Sequence, residues 1–328
     1  VIGWYVHSHG LGHLHRLQCV AAHLPTPVTV LSSLTRPAAW QGEWVELADD
    51  LPRGDDLDPT AGGTLHWAPQ HHPGLRERGA QIAAWVAAAS PSLVVVDVSV
   101  EVAVLVRSLG VPVVVAAMRG DRSDRAHRTA YDLAEALLAP WPASLPEPWP
   151  AEWIEKCWYV GGLSRLDGRP AGPPPGDRRV ALLWGRGGGE VTVDDVRRAT
   201  EQTPGWTWDV VGLPGTPWVQ DPWVLLQAAD VVVTHAGQNA VAEVAAARRP
   251  AVVIVQPRPY DEQHATANAL SAGGLALVEP TWPQTGWADL LDRAATQDGS
   301  RWQAWSDGQG AQRAAALLDA AAARLAPR

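Results

Sequence analysis

With 328 residues the chain has room for two domains of about 150 residues each, and a core of that size needs no disulfide or metal staples. Its 46% hydrophobic and 19% charged residues exclude disordered, collagenous and coiled-coil classes. The net charge of -9 argues against whole-chain nucleic-acid binding, which relies on Lys and Arg to neutralise phosphates. The first half then alternates short apolar runs with helical patterns. Strands are expected at Ile2 to Val6, Val28 to Leu31, Leu93 to Asp97 and Val113 to Ala117, and helices at Gly12 to Leu24, Gly74 to Ala89, Val100 to Leu109 and Ala126 to Leu138. A stretch rich in Asp, Pro and Gly from Ala48 to Pro73 is too long for a simple connection and reads as a lid or excursion.

Residues 168–178 form a Pro/Gly linker, after which the alternation restarts. Strands are expected at Val180 to Trp184, Trp208 to Val211, Val231 to Thr234, Ala251 to Val255 and Leu275 to Val278. Helices are expected at Val193 to Gln202, Pro222 to Ala228, Gln238 to Ala247 and Gln263 to Leu270. The chain therefore divides into domains 1–167 and 179–328, each an α/β doubly wound parallel sheet, facing one another across a cleft where the carboxyl ends of strands bind ligands. An Ala-rich terminal helix, 309–325, needs another surface to bury its apolar face, and the N-terminal domain is the candidate.

No apolar run approaches the roughly 20 residues of a membrane-spanning helix, and the N-terminal residues lack the pattern of a secretory signal. The expected location is cytoplasmic, with peripheral membrane contact left open. Cys19 and Cys157 cannot build a disulfide framework or a cysteine metal site and are expected to be reduced packing residues. The 18 Trp, with no Phe, read as core fillers rather than sugar platforms.

Two segments carry chemistry. After the first strand, His7, His9, His13 and His15 surround Gly10 and Gly12 in a turn that lets backbone approach a ligand. One of these histidines is expected to be a general base, with His13 first and His7 and His9 as alternatives. No Asp, Glu or Cys accompanies them in the loop, so a metal site is not expected there. The second segment runs from Thr234 through His235, Gly237, Gln238, Asn239, Ala240 and Glu243 to Asp261 and Gln263. Gly237 follows a buried strand and opens a helix, so the amides of Gln238 to Ala240 can cradle a diphosphate beside His235. Glu243 is placed to accept hydrogen bonds from a ribose diol, and Asp261 and Gln263 to meet sugar hydroxyls. Asp97, at a strand end, either orients a cleft histidine or caps the following helix. Arg119 and Arg122 either belong to a solvated loop of alternating charge or meet an anion in the cleft.

The segment Thr234 to Gln263 resembles the donor-binding signature of GT-B glycosyltransferases, whose plant members carry H-C-G-W-N-S-x-x-E ending in D/E-Q and whose MurG-type members carry S-x-A-G-x-x-x-x-E. His235, Gly237, Asn239 and Glu243 fall on matching positions, while Gln238 replaces the Trp, Ala240 the Ser, and an extra residue separates Asp261 from Gln263. The glycine loops around Gly10 and Gly12 and at Gly187, Gly188 and Gly189 resemble those of MurG-type enzymes. The resemblance, of the glycosyltransferase family 28 C-terminal type, implies a GT-B fold and an inverting, metal-independent transfer from a UDP- or dTDP-linked sugar. It implies no cofactor beyond that nucleoside diphosphate-sugar co-substrate, and a small-molecule or lipid-linked hydroxyl acceptor. His235, the glycine loop and the helix amides would hold the diphosphate, Glu243 the ribose, and Asp261 with Gln263 the sugar. Two alternatives remain on the same architecture: a nucleoside-diphosphate-sugar 2-epimerase and a noncatalytic GT-B-like binding subunit.

Overall fold

The structure is a computed structural model that describes residues 1–8, 11–185 and 191–327. Its first half runs β1 (Ile2–Val6), α1 (Gly12–Ala21), β2 (Val28–Ser32), β3 (Glu43–Glu46), α2 (Pro73–Ala89), β4 (Leu93–Asp97), α3 (Val100–Ser108), β5 (Val113–Ala116), α4 (Arg125–Leu133), β6 (Ala136–Ala139), α5 (Ala151–Glu155) and β7 (Cys157–Tyr159). The second half runs β8 (Arg179–Leu183), α6 (Val193–Glu201), β9 (Thr207–Val211), α7 (Trp223–Ala228), β10 (Val231–His235), α8 (Gln238–Ala247), β11 (Ala251–Ile254), α9 (Glu262–Ala272), β12 (Leu277–Glu279), α10 (Trp287–Ala295) and α11 (Gly310–Arg324).

The strands form two parallel sheets, of order β3-β2-β1-β4-β5-β6-β7 and β12-β11-β10-β8-β9. The central strands are near-continuous Val, Ile and Leu because helices cover both faces, as in β4, which is fully buried along Leu93–Asp97. Strand order reverses between β1 and β4 in one sheet and between β8 and β10 in the other. These reversals open a crevice at the carboxyl ends of those strands, since the connections leave them in opposite directions.

Three strands were not expected. Ala136–Ala139 was expected as the end of a helix, but the backbone is already extended at Ala134, and β6 is buried between β5 and β7. A four-residue apolar run cannot be told from a helix turn by periodicity alone. β3 and β7 are short and only partly buried, so they carry neither alternation nor a long apolar run. The excursion from residue 48 to the start of α2 makes a single isolated bridge, Leu57 with Gln70. It is tied down by the amides of His66 and Trp67, which donate to Glu101 at 2.8 and 3.0 Å.

α11 returns the chain to the first half. Ala311, Ala314, Ala315, Leu318, Ala321 and Ala322 share one core with Ile2, Trp4, Leu14, Leu17 and Val20, the small alanines letting α11 approach α1 closely. Trp4, Trp141, Trp184, Trp287 and Trp302 are fully buried and fill the cores. Among the described residues no helix is long and apolar enough to cross a membrane.

Candidate functional site

Both topological reversals carry side chains expected from the sequence to form the site. β1 is followed in the chain by α1, whose N-terminus has no side-chain cap. One residue into α1, His13 places Nδ1 2.8 Å from Oδ1 of Asp97, the last residue of neighbouring β4. One turn further along α1, Arg16 donates to the same oxygen at 2.5 Å, while Asp97 Oδ2 has no partner. Asp97 is fully buried; burial alone would raise its pKa, but Arg16 and His13 outweigh it and hold the carboxyl below the usual range. An ionised acceptor facing Nδ1 assigns the proton to that nitrogen and leaves Nε2 as the basic one. Asp97 thus orients the histidine; the helix cap of α3 is Ser99, whose side chain accepts from the Val102 amide.

On the facing sheet, β10 ends at His235. Its Nδ1 accepts from the Gly237 amide at 3.0 Å, so the ring proton sits on Nε2, which faces Gly185 after β8. Burial, reinforced by Arg258, pushes the His235 pKa down to about 4, so the ring is a neutral donor near neutral pH. A Cβ on Gly237 would lie 2.5 Å from the His235 ring, which accounts for glycine there. α8 starts at the next residue with no side-chain cap, so the Gln238, Asn239 and Ala240 amides keep the anion-binding character of a helix N-terminus.

The two helix starts meet. A Cβ on Gly12 would lie 2.6 Å from Asn239 Nδ2, and Arg16 donates to Gln238 Oε1. Farther along α8, Glu243 is buried and accepts from Arg165 Nε at 2.8 Å, and Arg165 also donates to the Gln220 carbonyl at 2.5 Å. Burial raises the Glu243 carboxyl against the opposing pull of Arg165.

Other expected site residues stand elsewhere. Gln263 is buried, its Oε1 accepting from the Ala236 and Gln256 amides at 3.2 and 3.1 Å, and it knits the ends of β10 and β11 rather than opening to the cleft. Asp261 is exposed, with a left-handed φ of 55°. Glu262, which sequence reasoning passed over, lies within the electrostatic reach of Arg122, Arg16, His13 and Arg258, while burial raises its carboxyl. The available signal was the adjacent Glu262-Gln263 pair, which fits a D/E-Q ending without an inserted residue.

Arg119 does not face the cleft. It is 1% exposed, ion-paired with Glu147, and its guanidinium lies 4.8 Å over the Trp141 ring. Arg122 is also buried: it donates to the carbonyls of Arg119 and Met118 at 2.6 and 3.1 Å, and it packs 5.2 Å over the Tyr260 ring. His7 has its ring centroid 6.0 Å from that of His13. His9, Gly10, Gly187, Gly188 and Gly189 lie outside the described residues.

Among the described residues, His66, Asp124 and His127 are the group of three with metal-ligand spacing. His127 Nε2 lies 3.2 Å from Arg122 Nη1, a donor only, so the His127 proton sits on Nδ1 and goes to Asp124. The group works as a hydrogen-bonded seat for Tyr260, whose ring centroid is 4.6 Å from that of His127 and 5.3 Å from that of His66.

Residues 216–279 match the glycosyltransferase family 28 C-terminal domain. A 205-residue stretch is 31% identical to the UDP-N-acetylglucosamine--N-acetylmuramyl-(pentapeptide) pyrophosphoryl-undecaprenol N-acetylglucosamine transferase of Ralstonia nicotianae, covering 52% of this chain and 53% of that protein. The match thus spans about half the length of the curated relative. Solved structures agree over nearly the whole chain. The glycotransferase of kitacinnamycin has a TM-score of 0.68 at 18% identity, covering 99% of this chain and 98% of that one. MurG of Acinetobacter baumannii has a TM-score of 0.65 at 15% identity over 97% and 99%. The spinosyn rhamnosyltransferase SpnG complexed with thymidine diphosphate has 0.59 at 17% identity over 98% and 99%. The two facing sheets are accordingly a GT-B fold, whose second half carries, over residues 216–279, the match to the glycosyltransferase family 28 C-terminal domain.

Proposed function

We propose that this protein is a glycosyltransferase that moves a sugar from a nucleoside diphosphate to a hydroxyl acceptor. The observation that carries the reading is the His13–Asp97 pair at one strand reversal, set against the uncapped α8 N-terminus and neutral His235 at the other. In the reaction, His13 Nε2 takes the proton of the acceptor hydroxyl as its oxygen attacks the anomeric carbon. The bond from that carbon to the diphosphate oxygen breaks, and its electron pair leaves with the nucleoside diphosphate. Asp97 holds the imidazolium as it forms, and His235 Nε2–H with the α8 amides stabilises the leaving charge without reorganisation.

Glu243 would hold the ribose, with its buried carboxylate sharing Oε1 with Arg165. Glu262, within the electrostatic reach of His13 and Arg16, is the carboxylate proposed to meet the donor sugar, in place of exposed Asp261. The donor is UDP- or dTDP-linked. The Ralstonia relative is named for a UDP-sugar and an undecaprenol-linked acceptor, and SpnG was solved with thymidine diphosphate, so both nucleotides and both small and lipid-linked acceptors belong in a screen. Attack on the face opposite the diphosphate makes the transfer inverting. Metal independence follows from the residues offered, since amides, His235 and the helix N-terminus do the work that carboxylate-held Mg²⁺ does elsewhere.

The reading is tested by incubating the protein with UDP- and dTDP-sugars and a panel of hydroxyl acceptors, with products followed by mass spectrometry and the assay repeated in EDTA. Glycosylated acceptor in both conditions is the expected result. Free epimerised nucleotide sugar without acceptor would replace the reading with an epimerase, and binding without turnover would replace it with a noncatalytic subunit.

A further inference from the structure

We infer that Arg16, on the first helix of the N-terminal sheet, is the cation that receives the leaving diphosphate from across the cleft. The inference rests on the donor reading above and assigns a residue to it that the glycine and histidine motifs do not include. A departing nucleoside diphosphate carries at least two negative charges, whereas the α8 N-terminus offers only about half a positive charge and His235 is held neutral. A full cation at the start of α8 would add to what those amides, His235 and the more general field of Arg258 supply. Arg16 is there: its Nη2 donates to the side-chain oxygen of Gln238, the first residue of that helix.

The contact has the character of a place-holder. The partner is a neutral amide oxygen, a weaker acceptor than a phosphate oxygen, and the other end of the same amide, Gln238 Nε2, is buried without a partner among the described residues. Among the described residues no other contact fastens that amide, so a phosphate oxygen can take its place on the guanidinium. The opposite edge of the guanidinium is meanwhile anchored to Asp97 Oδ1 at 2.5 Å, which keeps the cation aimed across the cleft.

Charge accounting gives this geometry a purpose. Taken by themselves, neutral His13, ionised Asp97 and Arg16 sum to zero before reaction; Glu262, within their electrostatic reach, is also set against Arg122 and Arg258. When the acceptor proton reaches His13 Nε2 the set becomes +1, as the electron pair of the broken bond lands on the diphosphate. Without Arg16 the same step would run from -1 to zero, and a carboxylate would face the departing anion. Arg16 therefore makes the base site and the leaving-group site complementary in charge.

Because Arg16 also binds Asp97, its effect on diphosphate must be separated from an effect through that carboxylate. The affinities of UDP, dTDP, uridine and thymidine would be measured by calorimetry for wild type, Arg16→Met, Asp97→Asn and the double variant. Removing the charge from both partners spares the double variant a buried unpaired carboxylate, so its comparison with Asp97→Asn is decisive even if Arg16→Met alone folds poorly. The expected result is a tenfold or greater loss of diphosphate affinity on removing Arg16 in the Asp97→Asn background, with nucleoside affinity within twofold. Arg16→Lys, which keeps the charge but not the fork, should fall between. Unchanged diphosphate affinity, a loss confined to the background with Asp97 intact, or an equal loss for nucleosides would each overturn the inference. Failure of wild type to bind either diphosphate would instead remove the donor reading on which it stands.

Discussion

At the scale of single residues, the site is built from histidines whose protons are placed by their neighbours. His13 donates from Nδ1 to a buried carboxylate and keeps Nε2 basic; His235 accepts at Nδ1 and keeps a donor at Nε2. In the proposed reaction the two rings therefore take opposite roles, one removing a proton and the other stabilising an anion. His13→Ala should lower kcat by about 10² to 10⁴ while nucleoside diphosphate affinity stays near wild type, because a general base acts on the transition state. Near-normal kcat in a folded His13→Ala variant would move the base to another group. The depressed His235 pKa also has a stability consequence. Between pH 6.5 and about 4 the unfolded chain binds a proton at this position that the folded chain does not, so stability is fully present above pH 6.5 and falls as pH drops toward 4. A shift of that size corresponds to about 3 kcal/mol at most. Urea midpoints measured from pH 7.5 to pH 5 should decline in wild type and decline less steeply in His235→Gln; parallel slopes would remove the assignment.

At the scale of elements, α11 shows how a sequence pattern becomes a packing surface. Its alanines let the backbone approach α1, and Leu318 is the large side chain that fills the space between them, with no solvent exposure. Leu318→Ala should cost about 2 to 5 kcal/mol in urea denaturation, from lost transfer energy and a residual cavity. The site lies at the far side of α1, so folded Leu318→Ala protein should bind nucleotide as wild type does. This helix was legible because its composition and length left little else for it to be, and the central strands were legible as unbroken Val and Leu runs. β6 was not, since Leu137 and Leu138 continue the apolar pattern of α4 and only the pairing with β5 makes them a strand. The same limit applies within the site. Asp97 and His13 could be named from strand ends and turn chemistry, whereas Arg119 and Arg122 could not be placed, because their burial depends on Glu147, Trp141 and Tyr260 from distant segments. Glu262 was obscured by its neighbour: Asp261 and Glu262 are both carboxylates, and only the left-handed backbone at Asp261 decides which one turns inward.

At the scale of the whole molecule, chemistry requires the base on one sheet and the donor site on the other to be held in register. Besides the meeting of α1 with α8, a second contact joins the segment 118–124 to the segment 259–262. The Asp121 amide donates to the Tyr260 carbonyl at 2.7 Å, and the Tyr260 ring rests on His66, His127 and Arg122. Tyr260 and Asp261 both adopt left-handed φ without being glycine, a strain of about 1 to 3 kcal/mol each that the docking must offset. Gly120 is what permits the approach: its φ is +101°, and a Cβ there would lie 2.2 Å from the Tyr260 carbonyl and 2.9 Å from the Glu262 amide. In Gly120→Ala neither the backbone nor the facing carbonyl can yield cheaply, so the two segments must separate and Glu262 must shift away from Arg122, Arg16 and His13, within whose electrostatic reach it lies. Turnover should fall at least tenfold, by general reasoning about lost positioning. Nucleoside affinity should stay within about threefold of wild type, because Glu243 belongs to the second sheet, whereas diphosphate affinity should fall to the extent that Arg16 is drawn away from α8. Tyr260→Ala, which removes the ring but leaves Gly120 intact, should show the same split to a lesser degree. Steady-state kinetics beside calorimetry would decide the matter: wild-type turnover in folded Gly120→Ala protein would mean that other contacts, such as α1 with α8 and Arg165 with Glu243, keep the two sheets in register.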